Sequence, residues 1–202
     1  MRKNLRLFGC IAMSAAIIIG CNDTPQETAV TTPEAAKTGN ASMIKRGEYL
    51  VATIGCDDCH SPKSMGPNGP EIIAESRLSG YPASRPVQKT DGLANELAKG
   101  WHFLGGDVTN AAGPWGVSFA ANITPDKTGI GSWTEAQFVK ALREGKYKGL
   151  DSGRALLPPM PWKAYKNLND EDLKSMFAYL KSIKPVSNLV PNPIPPAMPP
   201  TK

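Results

Sequence analysis

The segment Cys56-Asp57-Asp58-Cys59-His60 constrains this chain more than any other stretch. The 202 residues hold four cysteines and two histidines, and three of those six fall within these five positions. Few chemistries use two thiols three apart with an imidazole directly after. A redox pair of the thioredoxin kind follows a strand in a βαβ setting. Here an amphipathic helical pattern precedes the pair, and strands are lacking. A zinc centre needs four ligands. The only other histidine is His102, and His60, adjacent to Cys59, is badly placed to share a tetrahedral centre with both thiolates. A disulfide spanning two residues is strained in most contexts. The pattern C-x-x-C-H is instead the attachment signature of haem c. Each thiol adds to one vinyl group on the same porphyrin edge, and two intervening residues let both sulfurs reach it. The next imidazole, His60, is then carried underneath to the iron. One motif means one haem.

The other cysteines lie in a different kind of sequence. Arg2, Lys3 and Arg6 form a basic head, and Leu7 to Ile19 is an uncharged apolar run. That length suits the hydrophobic part of an export signal and is short for a membrane span, which wants ~20 apolar residues. Ile18-Ile19-Gly20-Cys21 resembles a bacterial lipobox. Residues 1–20 are therefore read as a lipoprotein signal peptide, with Cys21 as the acylated residue; a plain cleaved signal or an uncleaved anchor is the alternative. Cys10 leaves with the leader, so Cys56 and Cys59 remain for chemistry. Removing the three leader cations from 23 basic residues leaves 20 against 18 acidic, about +2. A nearly neutral mature chain gives no support for nucleic-acid binding.

Asn22 to Ala41 is rich in Thr, Ala and Pro, and residues 21–42 read as an acylated cysteine and flexible linker. Pro185 to Lys202 holds 7 of the 19 prolines and reads as an extended tail draped over the domain. Residues 43–184 remain for a folded domain. Its first helix is expected from Met43 to Ile54, stopped by Gly55. A second runs from Thr134 to Glu144: Thr134 and Gln137 form a capping box, Trp133 and Phe138 have the spacing of a hydrophobic staple, and Gly145 ends it. A third covers Asp170 to Lys184, capped by Asn169, with Leu173, Met176, Phe177, Leu180 and Ile183 on one stripe. A weaker helix is expected from Asp91 to Lys99. Ser61 to Gly131 is Gly- and Pro-rich with no evident strand ladder; such a long irregular region is usually functional or wrapped around something.

The iron needs a sixth ligand or an open position. Met160 is the strongest candidate, in Leu157-Pro158-Pro159-Met160-Pro161-Trp162, where the prolines hold the loop extended and aim the thioether. Met176 lies on the apolar stripe and reads as core. Met65 follows His60 too closely to reach the opposite face; Met43 edges the tether, and Met198 is in the tail. His102, in Gly100-Trp101-His102-Phe103, is the rival ligand.

These positions resemble a class I cytochrome c: Cys56, Cys59 and His60, then Met160, with helices on both sides. The chain is more specifically similar to cytochrome domains in multihaem subunits of membrane-bound alcohol and aldehyde dehydrogenases, and to related single-haem proteins. The matching text is Arg46-Gly47-Glu48-Tyr49-Leu50, Gly113-Pro114-Trp115-Gly116, Ala121-Asn122-Ile123-Thr124-Pro125-Asp126, Gly129-Ile130-Gly131-Ser132-Trp133 and Pro159-Met160-Pro161-Trp162. It covers residues 43–184. It departs over Glu71 to Ala112, which is longer than that subgroup leads one to expect, and in carrying a single haem motif.

The resemblance implies an all-α fold, three to five helices around one covalent haem c, with a long irregular Gly/Pro-rich insertion. It also implies that the first and last helices cross near the haem, with Gly47 permitting close approach and Tyr49, Phe177 and Leu180 packing there. Trp115, Asn122 and Trp162 are candidates for the haem wall, their N–H donors aimed at a propionate; ordinary core is the alternative for both tryptophans. With His60 and Met160 both on iron, no substrate position remains, which argues for electron transfer rather than catalysis. The expected protein is a lipid-anchored carrier on the periplasmic side of a bacterial membrane. It would move single electrons from a dehydrogenase or quinol-oxidising donor to an oxidase acceptor, with Lys146, Lys148, Lys163 and Lys166 flanking the Met160 loop. The alternatives are a haem subunit of a dehydrogenase complex and a peroxidase-like enzyme with a displaceable distal ligand.

Overall fold

The structure, a computed structural model, describes residues 33–196. The expected leader, the expected acylation site Cys21, the linker as far as Thr32, and Met198 lie outside those residues. Helix α1 (Pro33–Thr53) begins ten residues before the expected Met43 start. Pro33 takes the first helical position, where a missing N–H costs nothing, and the Ala-, Glu- and Lys-containing run after it favours helix. The segment read as tether is thus helical from Pro33, and its residues 39–42 are exposed. Gly55 then adopts a left-handed conformation (φ 81°) that a glycine takes at little cost. It turns the chain sharply into α2 (Cys56–His60).

The expectation of an all-α domain is corrected between Ser61 and Gly131. Strands β1 (Lys63–Gly66) and β2 (Gly69–Ile72) form an antiparallel hairpin with Gly66 opposite Gly69. A 3-10 turn at Asp91–Leu93 and helix α3 (Ala94–Ala98) replace the single helix expected from Asp91 to Lys99. Strands β3 (Phe103–Leu104), β4 (Asn110–Gly113) and β5 (Gly116–Phe119) make a second antiparallel sheet in the order β3-β4-β5. Strands of two to four residues, punctuated by glycine and proline, are too short to show the period-two alternation that marks a strand.

Helices α4 (Glu135–Glu144), α5 (Trp162–Tyr165) and α6 (Asp170–Ser182) complete the domain. The Thr134 hydroxyl accepts from the Gln137 amide at 3.2 Å, and the Gln137 side chain accepts from the Thr134 amide at 2.9 Å. Gly145 closes α4 in the left-handed region, and the Asn169 side chain caps α6 through the Asp172 amide at 2.7 Å. These are the caps that the sequence predicts. α6 ends at Ser182, two residues short of Lys184, because Ile183 is extended.

The core forms where α1 crosses α6. Any Cβ on Gly47 would overlap the Ser175 carbonyl, so only glycine lets the two backbones touch. Leu50, Val51, Leu173, Met176 and Leu180 are buried around that crossing, joined by Phe138 and Leu142 of α4. Each such side chain contributes roughly 1.5–3 kcal/mol by leaving water. Phe177 is only partly buried and faces α4, its ring 5.4 Å from Phe138. Tyr49, expected in this core, is instead 59% exposed and lies under the Arg46 guanidinium. Leu78, from the irregular region, is fully buried in the same cluster, so the insertion is part of the domain rather than an appendage.

The described part of the proline-rich tail is pinned along the surface. Val117 of β5 and Ile194 exchange backbone hydrogen bonds at 2.8 and 3.0 Å. The Asn188 side chain donates to the Ser79 and Tyr81 carbonyls at 2.7 and 2.9 Å and accepts from the Ala83 amide at 2.8 Å.

Candidate haem site

The attachment motif occupies one helical turn at the base of α1, so its side chains inherit their positions from the α1–α6 core. Cys56 is buried within that core cluster, while Cys59 and His60 are half-buried. Both thiols are free. Burial and the neighbouring Asp57 push the Cys56 thiol up to about 12, and burial with Asp58 raises Cys59. Nucleophilic cysteine pairs sit in electropositive surroundings that lower their pKa, whereas burial and the neighbouring carboxylates act in the opposite direction here, with Lys63 partly opposing them at Cys59. Among the described residues no three His, Cys, Asp or Glu side chains gather to hold a metal ion.

His60 carries the clearest constraint. Its Nδ1 lies 2.7 Å from the Ala121 carbonyl oxygen. A carbonyl can only accept, so Nδ1 bears the proton and Nε2 keeps its lone pair. A metal-ligating imidazole is usually oriented in this way by a partner on its other nitrogen. Burial lowers the His60 pKa, the Ala121 bond partly opposing it, and so favours the neutral ring that a metal requires.

The turn is braced by residues that the motif does not announce. The Arg77 guanidinium clasps Asp57 with two bonds, Nε to Oδ1 at 2.9 Å and Nη2 to Oδ2 at 2.6 Å. Its Nη1 reaches the Tyr179 hydroxyl on α6 at 2.7 Å. Ser61 donates to Asp57 Oδ1 at 2.7 Å, and accepts from the Leu78 amide. Lys63 points its ammonium at the carbonyls of Asp57, Asp58, Ser61 and Asp107 at 2.7–3.3 Å, a cation at the negative end of a short helix. In the sequence, Asp57 is one of two spacers between the cysteines, and nothing local connects it to Arg77.

Met160 lies on a loop that packs, half-buried, against the same apolar cluster as Cys56. It shares a cavity of about 250 Å³ with Leu156, Pro158, Pro159, Trp162 and Lys163. The segment just after it returns to the motif: the Tyr165 hydroxyl donates to the Ile54 carbonyl at 2.8 Å, two residues before Cys56. Burial, reinforced by Cys56 and Cys59, pushes the Tyr165 phenol up to about 12 and keeps it a donor. Cys56 and Met160 thus pack against one apolar cluster, with Cys59 and His60 on the same helical turn as Cys56, a donor set that fits haem c.

The other candidates have different surroundings. Trp162 lines the Met160 cavity, and its ring leaves no room for a Cβ on Gly145. Trp115 sits at the β4–β5 turn and donates to Ser118 at 3.2 Å. Asn122 is buried, and its amide donates to Thr128 at 3.0 Å and to the Val186 carbonyl at 2.8 Å while its oxygen receives Thr124. The propionate donor expected of Asn122 is therefore committed inside the protein, where it ties the tail to the 122–128 loop. His102 is exposed, its ring 5.9 Å from that of Trp115.

Residues 44–184 match the cytochrome c family. The chain belongs to the cytochrome c family. It is 32% identical over 186 residues to the fructose dehydrogenase cytochrome subunit of Gluconobacter japonicus, covering 91% of this chain and 30% of that one. It is 33% identical over 150 residues to the gluconate 2-dehydrogenase cytochrome c subunit of Pantoea cypripedii, covering 73% and 25%. It is 29% identical over 154 residues to the alcohol dehydrogenase (quinone) cytochrome c subunit of Gluconobacter oxydans, covering 75% and 24%. The chain thus spans less than a third of the length of these relatives. It is a c-type cytochrome similar to dehydrogenase cytochrome subunits.

Proposed function

We propose that this cytochrome carries single electrons through one covalently held haem c, as a membrane-tethered partner of a dehydrogenase in the bacterial cell envelope. The observation that carries the reading is the His60 imidazole, locked by Ala121 through Nδ1 so that Nε2 is free, directly after a pair of free cysteines. Cys56 and Cys59 would hold the porphyrin edge, and His60 and Met160 would ligate its iron. When bound, haem c supplies a one-electron couple, and a thioether ligand raises its potential relative to two imidazoles. The protein's own part is to keep both ligands in place in both oxidation states, so that little rearrangement accompanies each transfer. Leu156, Trp162 and the prolines around Met160 line the cavity on that side.

A dehydrogenase donor is supported by the relatives, which are subunits of such enzymes. An oxidase as acceptor, the Cys21 lipid anchor and the periplasmic location rest on the sequence reading. Lys146, Lys148, Lys163 and Lys166 border the Met160 loop and suit an acidic partner surface. The test is the intact mass of the protein purified from a cytochrome-maturing host. One haem added to the polypeptide, retained after denaturation and lost in Cys56→Ser/Cys59→Ser, is the expected result; an unmodified mass in the wild type overturns the reading.

A further inference from the structure

The Met160 loop cannot anchor itself. Pro158, Pro159 and Pro161 lack an N–H, so the loop has carbonyls to offer and almost no donors. Its one internal amide bond is long, Met160 to the Leu157 carbonyl at 3.3 Å. The short contact comes from outside: the Ser118 hydroxyl of β5 donates to the Pro158 carbonyl at 2.6 Å. The same hydroxyl lies 3.4 Å from the Ala111 carbonyl. It has one proton, and the shorter, better acceptor takes it. Trp115 Nε1–H, donating to Ser118 at 3.2 Å, occupies a lone pair and turns the hydroxyl hydrogen toward Pro158.

β5 is well placed to transmit a fixed geometry. One edge is paired with β4, and the other is held by Ile194 of the tail. Three residues after Ser118, the same segment presents the Ala121 carbonyl to His60. The short segment from Ser118 to Ala121 thus touches the methionine loop through a side-chain hydroxyl and the imidazole through a backbone carbonyl.

We propose that Ser118, oriented by Trp115, is a positioning residue that holds the Met160 thioether against the iron, so that the 118–121 segment sets the placement of both ligands. This rests on the assignment of Met160 as a ligand. Without the hydroxyl, the Pro158 carbonyl loses its donor and the sulfur is displaced more readily by a competing ligand.

The experiment is a titration of the ferric holoprotein with imidazole, read by loss of the long-wavelength sulfur-to-iron charge-transfer band, in wild type, Ser118→Ala, Ser118→Thr and Met160→Ala. Ser118→Ala is expected to bind imidazole about fivefold more tightly, the factor that one net hydrogen bond supplies. Ser118→Thr, which keeps the hydroxyl, is expected to return toward wild type, with the denaturation midpoint of Ser118→Ala little changed. Equal affinity in wild type and Ser118→Ala overturns the proposal. So does a tighter affinity that Ser118→Thr fails to restore and that tracks a general loss of stability. Met160→Ala separates the two levels: a band unchanged in that variant overturns the ligand assignment itself, whereas a band lost there with Ser118→Ala unaffected overturns only the role of Ser118.

Discussion

Replacing Arg77 with alanine is the sharpest perturbation of the scaffold behind the haem motif. The guanidinium makes two charge-assisted bonds to Asp57 and a third to Tyr179, joining the attachment turn, the inserted region and α6 in one network. The Asp57 side chain is only 12% exposed. Removing one partner of a buried ion pair costs about 3–5 kcal/mol, because the other charge is left desolvated. The Arg77 side chain is 34% exposed, so water can enter the space it vacates, and Ser61 still donates to Asp57. The expected loss is therefore smaller, about 2–3 kcal/mol, still a large share of a stability of roughly 5–15 kcal/mol. Chemical unfolding of the holoprotein, followed by haem absorbance and circular dichroism, measures it. Asp57→Ala/Arg77→Ala should cost less than the sum of the single variants by about 1–2 kcal/mol, since the double variant buries no orphaned charge. A loss under about 0.5 kcal/mol for Arg77→Ala, or strict additivity in the cycle, refutes the reasoning.

A second ion pair predicts an acid limb. Burial alone would raise the Asp107 carboxyl, but Arg85 at 2.7 Å and Thr109 hold its pKa down to about 2. An unfolded aspartate titrates near ~3.9, so this stabilisation is complete above about pH 4 and is lost as the pH falls toward about 2. Wild type should therefore exceed Arg85→Ala by about 1–2 kcal/mol at pH 6, and the gap should close near pH 2; a gap independent of pH contradicts the account. Asn188→Ala removes three side-chain bonds that hold the tail to residues 79–83, at about 1 kcal/mol each. A fall in melting temperature of about 5–10 °C is expected by differential scanning calorimetry, and no change would mean that the tail adds nothing to the domain.

The features legible in the sequence are those whose partners are close along the chain. Thr134, Gln137 and Gly145 define α4 within a dozen residues, and Asn169 with the Leu173–Leu180 stripe defines α6. The C-x-x-C-H motif is equally local. The strands are not legible, because Gly66, Gly69, Pro70, Gly113 and Gly116 break any alternation and each strand is shorter than the window needed to see it. Nor is the bracing of the site. Arg77 meets Asp57 across 20 positions and Ser118 meets Pro158 across 40, and neither pairing leaves a periodic trace. Ala121 acts through its backbone carbonyl, which no side-chain pattern reports, although it opens the Asn122-Ile123-Thr124-Pro125-Asp126 block. Tyr49 shows the opposite error: an aromatic residue beside Gly47 reads as core, yet it lies on the outer face of α1.

On the proposed reading, sulfur from Met160 completes the coordination that His60 begins. Potentiometric titration of Met160→Ala beside the wild type, with the ferric spectrum recorded at each point, tests it most directly. The sulfur-to-iron band should disappear and the midpoint potential should fall. An unchanged band and potential would contradict it.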